Sequence, residues 1–264
     1  MEFSKAQFES LLAEISAGID DLSSRLEQIE PAAVAAADRW YVPDTVADAI
    51  IWLGRETVAV GRKILNFLKD LLKGATAPIF MFMDAWAWMD VRGSASNIAS
   101  SLSEQHLVVD NSDWSGKARD AYVSSAASQR EAASRISTIA SNTSDCLLYC
   151  ALAGTAFYTS LALVLAKLVA AAIAAVAAFG SAVFSWAGAA ILLEEAGINT
   201  AIITTAVGAL TGFLGAQAYA MVKLHGEAVD NSTFPGGRWP SADSSTYSDA
   251  TVKDGDADWS LAPS

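Results

Sequence analysis

Charge is scarce in this chain. Only 17% of its 264 residues are Asp, Glu, Lys or Arg, against about 25% in an ordinary soluble domain. With 53% hydrophobic residues, the chain is also too apolar to be disordered as a whole. Bases are scarcer than acids, 17 against 29, for a net charge of −12. That argues against a nucleic-acid partner, because affinity there comes mostly from phosphate neutralisation by Lys and Arg. Cysteine is nearly absent: Cys146 and Cys150 are the two present, so no disulfide framework is expected. Their spacing puts them on one helical face as small packing thiols, and two ligands do not make a zinc site. Histidine is limited to His106 and His225, neither in a recognisable motif. No nucleophile elbow, phosphate loop, H-E-x-x-H or paired-cysteine metal motif occurs. Asp254-Gly255-Asp256-Ala257-Asp258 lacks the twelfth-position Glu of a calcium loop. The expectation is therefore a non-enzymatic chain with no cofactor, no metal and no small-molecule substrate. The start, Met1-Glu2-Phe3-Ser4-Lys5-Ala6, has no basic region followed by an apolar one, so a Sec signal peptide is not expected.

What is present is apolar sequence in long, uneven blocks. Residues 1–40 carry 8 acids and 3 bases, whereas residues 146–225 carry only Lys167, Glu194, Glu195 and Lys223. The segment 168–193 has no charge over 26 positions and 196–222 none over 27. Each exceeds the ~20 residues that cross a bilayer as a helix. Glu194-Glu195 followed by Ala196-Gly197 reads as the turn of an apolar helical hairpin over 167–223, with Lys167 and Lys223 at its outer ends. Gly208 and Gly212 form a G-x-x-x-G with Gly215 nearby, a pattern that lets helices approach closely in lipid. These glycines are the expected helix-packing residues of a membrane-inserting hairpin. The competing expectation is a soluble bundle that buries the same helices on all sides.

Ahead of it, residues 1–83 read as two helices. Phe8, Leu12, Ile15, Ile19, Leu22, Leu26 and Ile29 form a heptad seam over 4–30. Ser4 and Gln7 fit a capping box, and Pro31 is expected to stop the helix. Such a seam packs on the chain's own helices or on a partner in a coiled coil. Residues 32–43 read as linker. A basic amphipathic helix is expected over 44–73, with Arg55, Arg62, Lys63, Lys69 and Lys73 interleaved with its apolar stripe. It reads either as a plain surface helix or as one lying on an anionic membrane. Residues 224–264, rich in Ser, Asp, Gly and Pro, read as a flexible acidic tail.

Between these parts, two further seams flank a short turn over 84–166. One runs through Trp88, Val91, Ala95, Ile98 and Leu102. The other runs through Tyr122, Ala126, Gln129, Ala133, Ile136, Ala140, Thr143, Leu147 and Cys150. Two heptad helices joined this way make a long antiparallel hairpin. The turn carries Asn111-Ser112-Asp113-Trp114-Ser115-Gly116. Trp114-Ser115-Gly116, followed by Lys117-Ala118-Arg119-Asp120-Ala121-Tyr122, resembles the WxG family of helical hairpins exported by type VII (ESX) secretion systems. The resemblance covers residues 84–165.

It implies a helical fold, Sec-independent export and pairing with a helical partner or a second copy. Trp114 and Gly116 would set the turn, and Tyr122, Ala126, Ala133, Ile136 and Ala140 would form the binding seam. The chain departs from the family in being longer and more apolar. It also lacks the family's export signal, an aromatic residue or His followed at the fourth position by an acid just past the second helix. Tyr149, Tyr158 and Tyr219 have no acid at that spacing, and His106 with Asp110 precedes the turn.

Together these features lead to an all-α protein, secreted by a Sec-independent route or membrane-associated. It would bind a helical partner and membrane lipid and permeabilise a bilayer. The alternatives are a resident membrane accessory or immunity protein, and a soluble helical chaperone whose apolar half is buried by a partner.

Overall fold

The computed structural model describes residues 4–103, 107, 116–180 and 186–241, and the side chains of these except 117, 118, 186–203, 205 and 206. Trp114, the first of the expected hairpin-turn residues, lies outside the described residues. The protein is all-α, with no strand among the described residues. Its long helices are α1 (Lys5–Ala37), α2 (Asp44–Leu72), α3 (Ala77–Ser101), α4 (Lys117–Gly180) and α5 (Trp186–Val229), followed by a short 3₁₀ turn at Pro235–Gly237.

α1 starts where Ser4 Oγ accepts the Gln7 amide N–H at 3.5 Å, satisfying one of the first-turn donors. Its seam is buried through Phe8, Ile15, Ile19, Leu22, Leu26 and Ile29. Pro31 does not stop the helix, contrary to expectation: α1 runs on to Ala37. The reason is visible in the register. Ala33 and Ala36 continue the steps of four and three past Ile29 and are fully buried, while Pro31 sits on the exposed side. Packing of the inner face outweighs the one hydrogen bond that proline removes on the outer face. The linker is correspondingly short, 38–43 rather than 32–43.

α2 begins after Pro43, whose carbonyl accepts the N–H groups of Val46 and Ala47, both at 2.9 Å. It returns antiparallel to α1. Gly54 lies against Ala33 and Gly61 against Leu26, and Arg55 Nε meets Glu30 Oε1 at 3.1 Å. A brief turn leads to α3, where Pro78 occupies the first helical turn, a position that tolerates its missing N–H.

Two compact units emerge, each assembled from separated stretches: Met1–Phe82 with Leu148–Ala218, and Met83–Leu147 with Tyr219–Ser264. The sequence segments 84–166 and 167–223 are each divided between the units: α4 runs through the boundary expected after 166, and α5 runs past the one expected after 223. In the first unit, α1 and α2 pack on the second half of α4. Phe8 stands edge-on to Tyr158 at 5.7 Å, Phe157 stacks on Phe213 at 6.0 Å, and the Tyr158 hydroxyl donates to the Leu71 carbonyl at 3.1 Å. In the second unit, Ser144 Oγ donates to the Ala85 carbonyl at 2.8 Å, tying α3 to α4. Ala95, Ala126, Ala132, Ala133 and Ala140 are buried there.

Two more expectations are corrected. The apolar segment was expected to turn at Glu194-Glu195. Instead α4 ends at Gly180 and α5, starting at Trp186, carries both glutamates within its helix. Glutamate is a good helix former, and a charge in an apolar run is not by itself a break. The segment 224–264 was expected to be a flexible tail. In its described part, α5 continues to Val229 and residues 230–241 are held against α4; the rest of that segment, 242–264, lies outside the described residues.

Candidate functional site

The apolar helices present bare outward faces. On α4, Leu163, Ala166, Ala170, Ile173 and Ala177 are exposed. They step by three and four and so form one stripe. Leu163 is 62% and Ile173 44% exposed, and Lys167 is the charge that borders the stripe. The opposite side of this helix carries Leu161, Leu165, Ala172, Ala175 and Phe179, all buried in the first unit's core. On α5, Val207, Leu214, Tyr219, Met221 and Val222 are exposed, the last two above 70%. No Asp, Glu, Lys or Arg occurs from 196 to 222. Arg119–Gly180 contains an 18-residue stretch long and apolar enough to cross a membrane, and only 22% of that stretch is buried. The core helix of a water-soluble bundle would be mostly covered.

The glycines singled out on α5 make no close helix contact among the described residues. A methyl group added at Gly208, Gly212 or Gly215 would meet nothing within 4 Å. The close approaches occur at other glycines. At Gly54 the added carbon would lie 2.6 Å from Ala33 Cβ, at Gly154 2.6 Å from the Pro78 ring, and at Gly18 2.7 Å from Leu165. Gly54 and Gly61 lie seven apart on α2 in register with buried Ile50, Leu65 and Leu68. That seven-residue spacing is the signal the sequence carries for the close approach of α1 and α2.

Gly116 has φ +108° and is exposed, and its carbonyl accepts the Asp120 N–H at 3.1 Å, opening α4. A side chain at that φ would be strained. Along the seam, Ala126, Ala133 and Ala140 are buried, Ile136 is half-buried and Tyr122 is 43% exposed.

The same helix holds a cluster that the sequence did not announce. Arg135 meets Glu227 at 2.7 Å and Asp230 at 2.9 Å, with the Arg135 and Glu227 side chains largely buried. Asn142 Nδ2 donates to Glu227 Oε1 at 2.6 Å, and Gln129 Nε2 donates to the Pro240 carbonyl at 3.0 Å. The Asp230 carboxyl is held below the usual aspartate range, first by the Ser232 hydroxyl and backbone N–H, then by the Arg135 charge. Nearby, burial raises the Cys146 thiol above its ordinary value, with Lys223 opposing and Asp145 and Glu227 reinforcing the shift. Among the described residues, no three His, Cys, Asp or Glu side chains assemble as a metal site.

No family model matches this chain, and no curated protein or solved structure is significantly similar to it.

Proposed function

We propose that this chain is a non-enzymatic, type VII secretion-associated helical protein that binds a helical partner and inserts into a membrane, permeabilising it. The observation that carries the membrane half is the pair of uncharged outward faces on α4 and α5. Each leaves Leu, Ile, Val or Met side chains open to water at a cost of about 1.5–3 kcal/mol per fully exposed side chain relative to an apolar environment. Exposed apolar area of this extent marks a lipid or protein contact. The unfilled Gly208, Gly212 and Gly215 edge of α5 supports close helix pairing after insertion.

The secretion half rests on the resemblance at Trp114 to Tyr122. The left-handed Gly116 at the head of α4 supports it, because a tight reversal is what the WxG pattern requires at that position. Export would proceed without a Sec signal, with the targeting element supplied by a partner chain.

A second reading is favoured by one specific observation: the exposed α4 stripe keeps heptad spacing, which suits a partner helix as well as lipid. In that reading the chain is a soluble interaction module whose apolar half is covered in a complex.

Fractionation of producing cells into cytosol, membrane and medium separates the two, alongside dye-release assays on lipid vesicles. Membrane or medium recovery with dye release is expected. Full-length protein that remains cytosolic, co-purifies with a stoichiometric partner without detergent and leaves vesicles intact would replace the first reading with the second.

A further inference from the structure

We propose that the end of α5, from Lys223 on, and the strap 230–241 that follows it form a displaceable cover. They occupy a face of α4 that a partner helix takes, and they stand in for that partner by presenting two acids three residues apart. This rests on the partner-binding half of the reading above and adds where the partner docks and the chemistry it must carry.

The covered face is a row of small and aliphatic side chains. Ala132, Ile136, Ile139, Thr143 and Cys146 step by four and three along α4 and so share one side of the helix. Ala132, Thr143 and Cys146 are buried and the two isoleucines half-buried. The Thr143 hydroxyl donates to the Ile139 carbonyl of its own helix at 2.8 Å, so the row needs no polar partner from outside. α3 takes a neighbouring row, in which Ala133 and Ala140 lie in register with Ser144, the residue that meets the Ala85 carbonyl. α5 and the strap take this one. At about 3.6 residues per turn, Gln129 falls to one side of the row and Arg135 and Asn142 to the other. Gln129 donates to the Pro240 carbonyl, while Arg135 and Asn142 meet Glu227. The stretch from Glu227 to Pro240 therefore spans the row.

The way the cover is held makes it displaceable. The first unit is closed by ring contacts among Phe8, Phe157, Tyr158 and Phe213. The cover is fixed by polar ones: Arg135 to Glu227 and Asp230, Asn142 to Glu227, and Gln129 to Pro240. In the same unit Ser125 Oγ and Arg135 Nε on α4 and Thr233 Oγ1 in the strap are buried without a hydrogen-bond partner among the described residues. Each such atom costs free energy on closure, and a buried ion pair gains little once desolvation is subtracted. A helix that offers the same two carboxylates therefore competes with the resident segment on near-equal terms. Charge sets its chemistry. Arg135 is the base that both acids meet, whereas Arg130, Glu131 and Asp145 are exposed and point away from the row. The partner is accordingly a helix with Glu or Asp at positions three apart, as in Glu227-Ala228-Val229-Asp230, on an otherwise small or aliphatic side.

The test uses full-length protein and a fluorescein-labelled peptide of residues 219–241, which carries the acid pair, read by anisotropy. E227Q/D230N keeps Arg135 and loosens the chain's own cover. It is expected to bind the peptide about ten-fold more tightly than the wild type, whose own segment competes, the size expected for one contact to a charged group. Adding R135Q to that variant, or the same two acid substitutions to the peptide, should remove the gain. Cys146, 2% exposed and near Lys223 and Glu227, reports the cover directly. Its alkylation by iodoacetamide, located by mass spectrometry, should be about ten-fold faster in E227Q/D230N and slow again with peptide bound. Cys150, one turn further along α4, should stay protected. D230N alone, at an exposed position, is the milder variant if the double one fails to fold, with the same order of effects expected. Equal acceleration at Cys146 and Cys150 means that the chain opens as a whole and overturns the cover. Unchanged alkylation of Cys146 also overturns it and leaves partner binding standing, with the exposed α4 stripe as its site. Faster alkylation without peptide binding, or binding that R135Q does not weaken, overturns the row as a docking face for an acid-bearing helix.

Discussion

α1 and α2 approach so closely at Gly54 that no methyl group fits there beside that of Ala33. An alanine there would bring its Cβ to 2.6 Å from that of Ala33, which is fully buried and cannot rotate away. The helices themselves would have to part. Gly154 is in the same position against the rigid Pro78 ring, with Phe213 behind it at 3.2 Å. Gly54→Ala and Gly154→Ala are each expected to cost about 1–3 kcal/mol, the usual range for overpacking, read as a lower midpoint of thermal unfolding. Gly208→Ala and Gly212→Ala, made in detergent-free solution, are expected to leave stability unchanged or raise it by up to about 1 kcal/mol through helix propensity, read as an equal or higher midpoint. Equal losses at all four positions would contradict this assignment of the tight contacts. Glycine spacing in the sequence marks where helices are able to approach, and the fold selects which of those places is used.

At the scale of elements, the end of α5 is anchored by charge. The Arg135 guanidinium lies between Glu227 and Asp230, and its removal would leave Glu227, itself largely buried, without a counter-ion. Arg135→Ala is expected to cost about 3 kcal/mol, as when one partner of a buried pair is lost, and to speed proteolysis within 227–241. The pH dependence follows from Asp230. Its carboxyl lies below the usual aspartate range in the folded protein because Ser232 donates to it and Arg135 faces it. A lowered folded-state value means the contribution is fully present above the unfolded aspartate value and is lost as pH falls through the folded one. Protection of 227–241 from acid-active proteases should therefore hold from neutral pH down to the ordinary aspartate range, decline from there and disappear below the lowered folded-state value. Asp230→Asn should weaken that acid-side loss. Protection that fades near neutrality would show that another group controls the segment. Little of this could be read in the sequence: Glu227 and Asp230 resemble the other acids of the C-terminal region, and their role depends on Arg135, some ninety residues earlier.

For the whole molecule, the open question is what covers the outward faces of α4 and α5. Leu163 and Ile173 on α4 are exposed, so Leu163→Asp with Ile173→Asp should leave folding in water intact. In a bilayer each Asp at the helix centre costs about 2.5–3.5 kcal/mol on insertion scales. The double variant is therefore expected to keep its unfolding midpoint and lose dye release from vesicles by more than a hundred-fold. Unchanged dye release would remove α4 from the inserted part. α1 and α2 already sheathe one side of α4 through Phe8, Gly18 and Leu71, so the helix is half dressed for water and half bare.

The sequence by itself determined that the chain is helical, that α1 and α2 are amphipathic, and that a long stretch near the C-terminal end is almost without charge. Those properties are local, carried by periodicity and composition over neighbouring residues. The tertiary structure alone decided that α1 passes Pro31, that Glu194 and Glu195 sit inside a helix, and that the stretch after α5 is pinned by Arg135. The first and the last of these depend on a contact far away in sequence: buried Ala33 against Gly54 holds α1 through the proline, and a buried guanidinium recruits acids that would otherwise face water. Propensity sets what a segment prefers, and packing energy from distant residues determines whether that preference prevails.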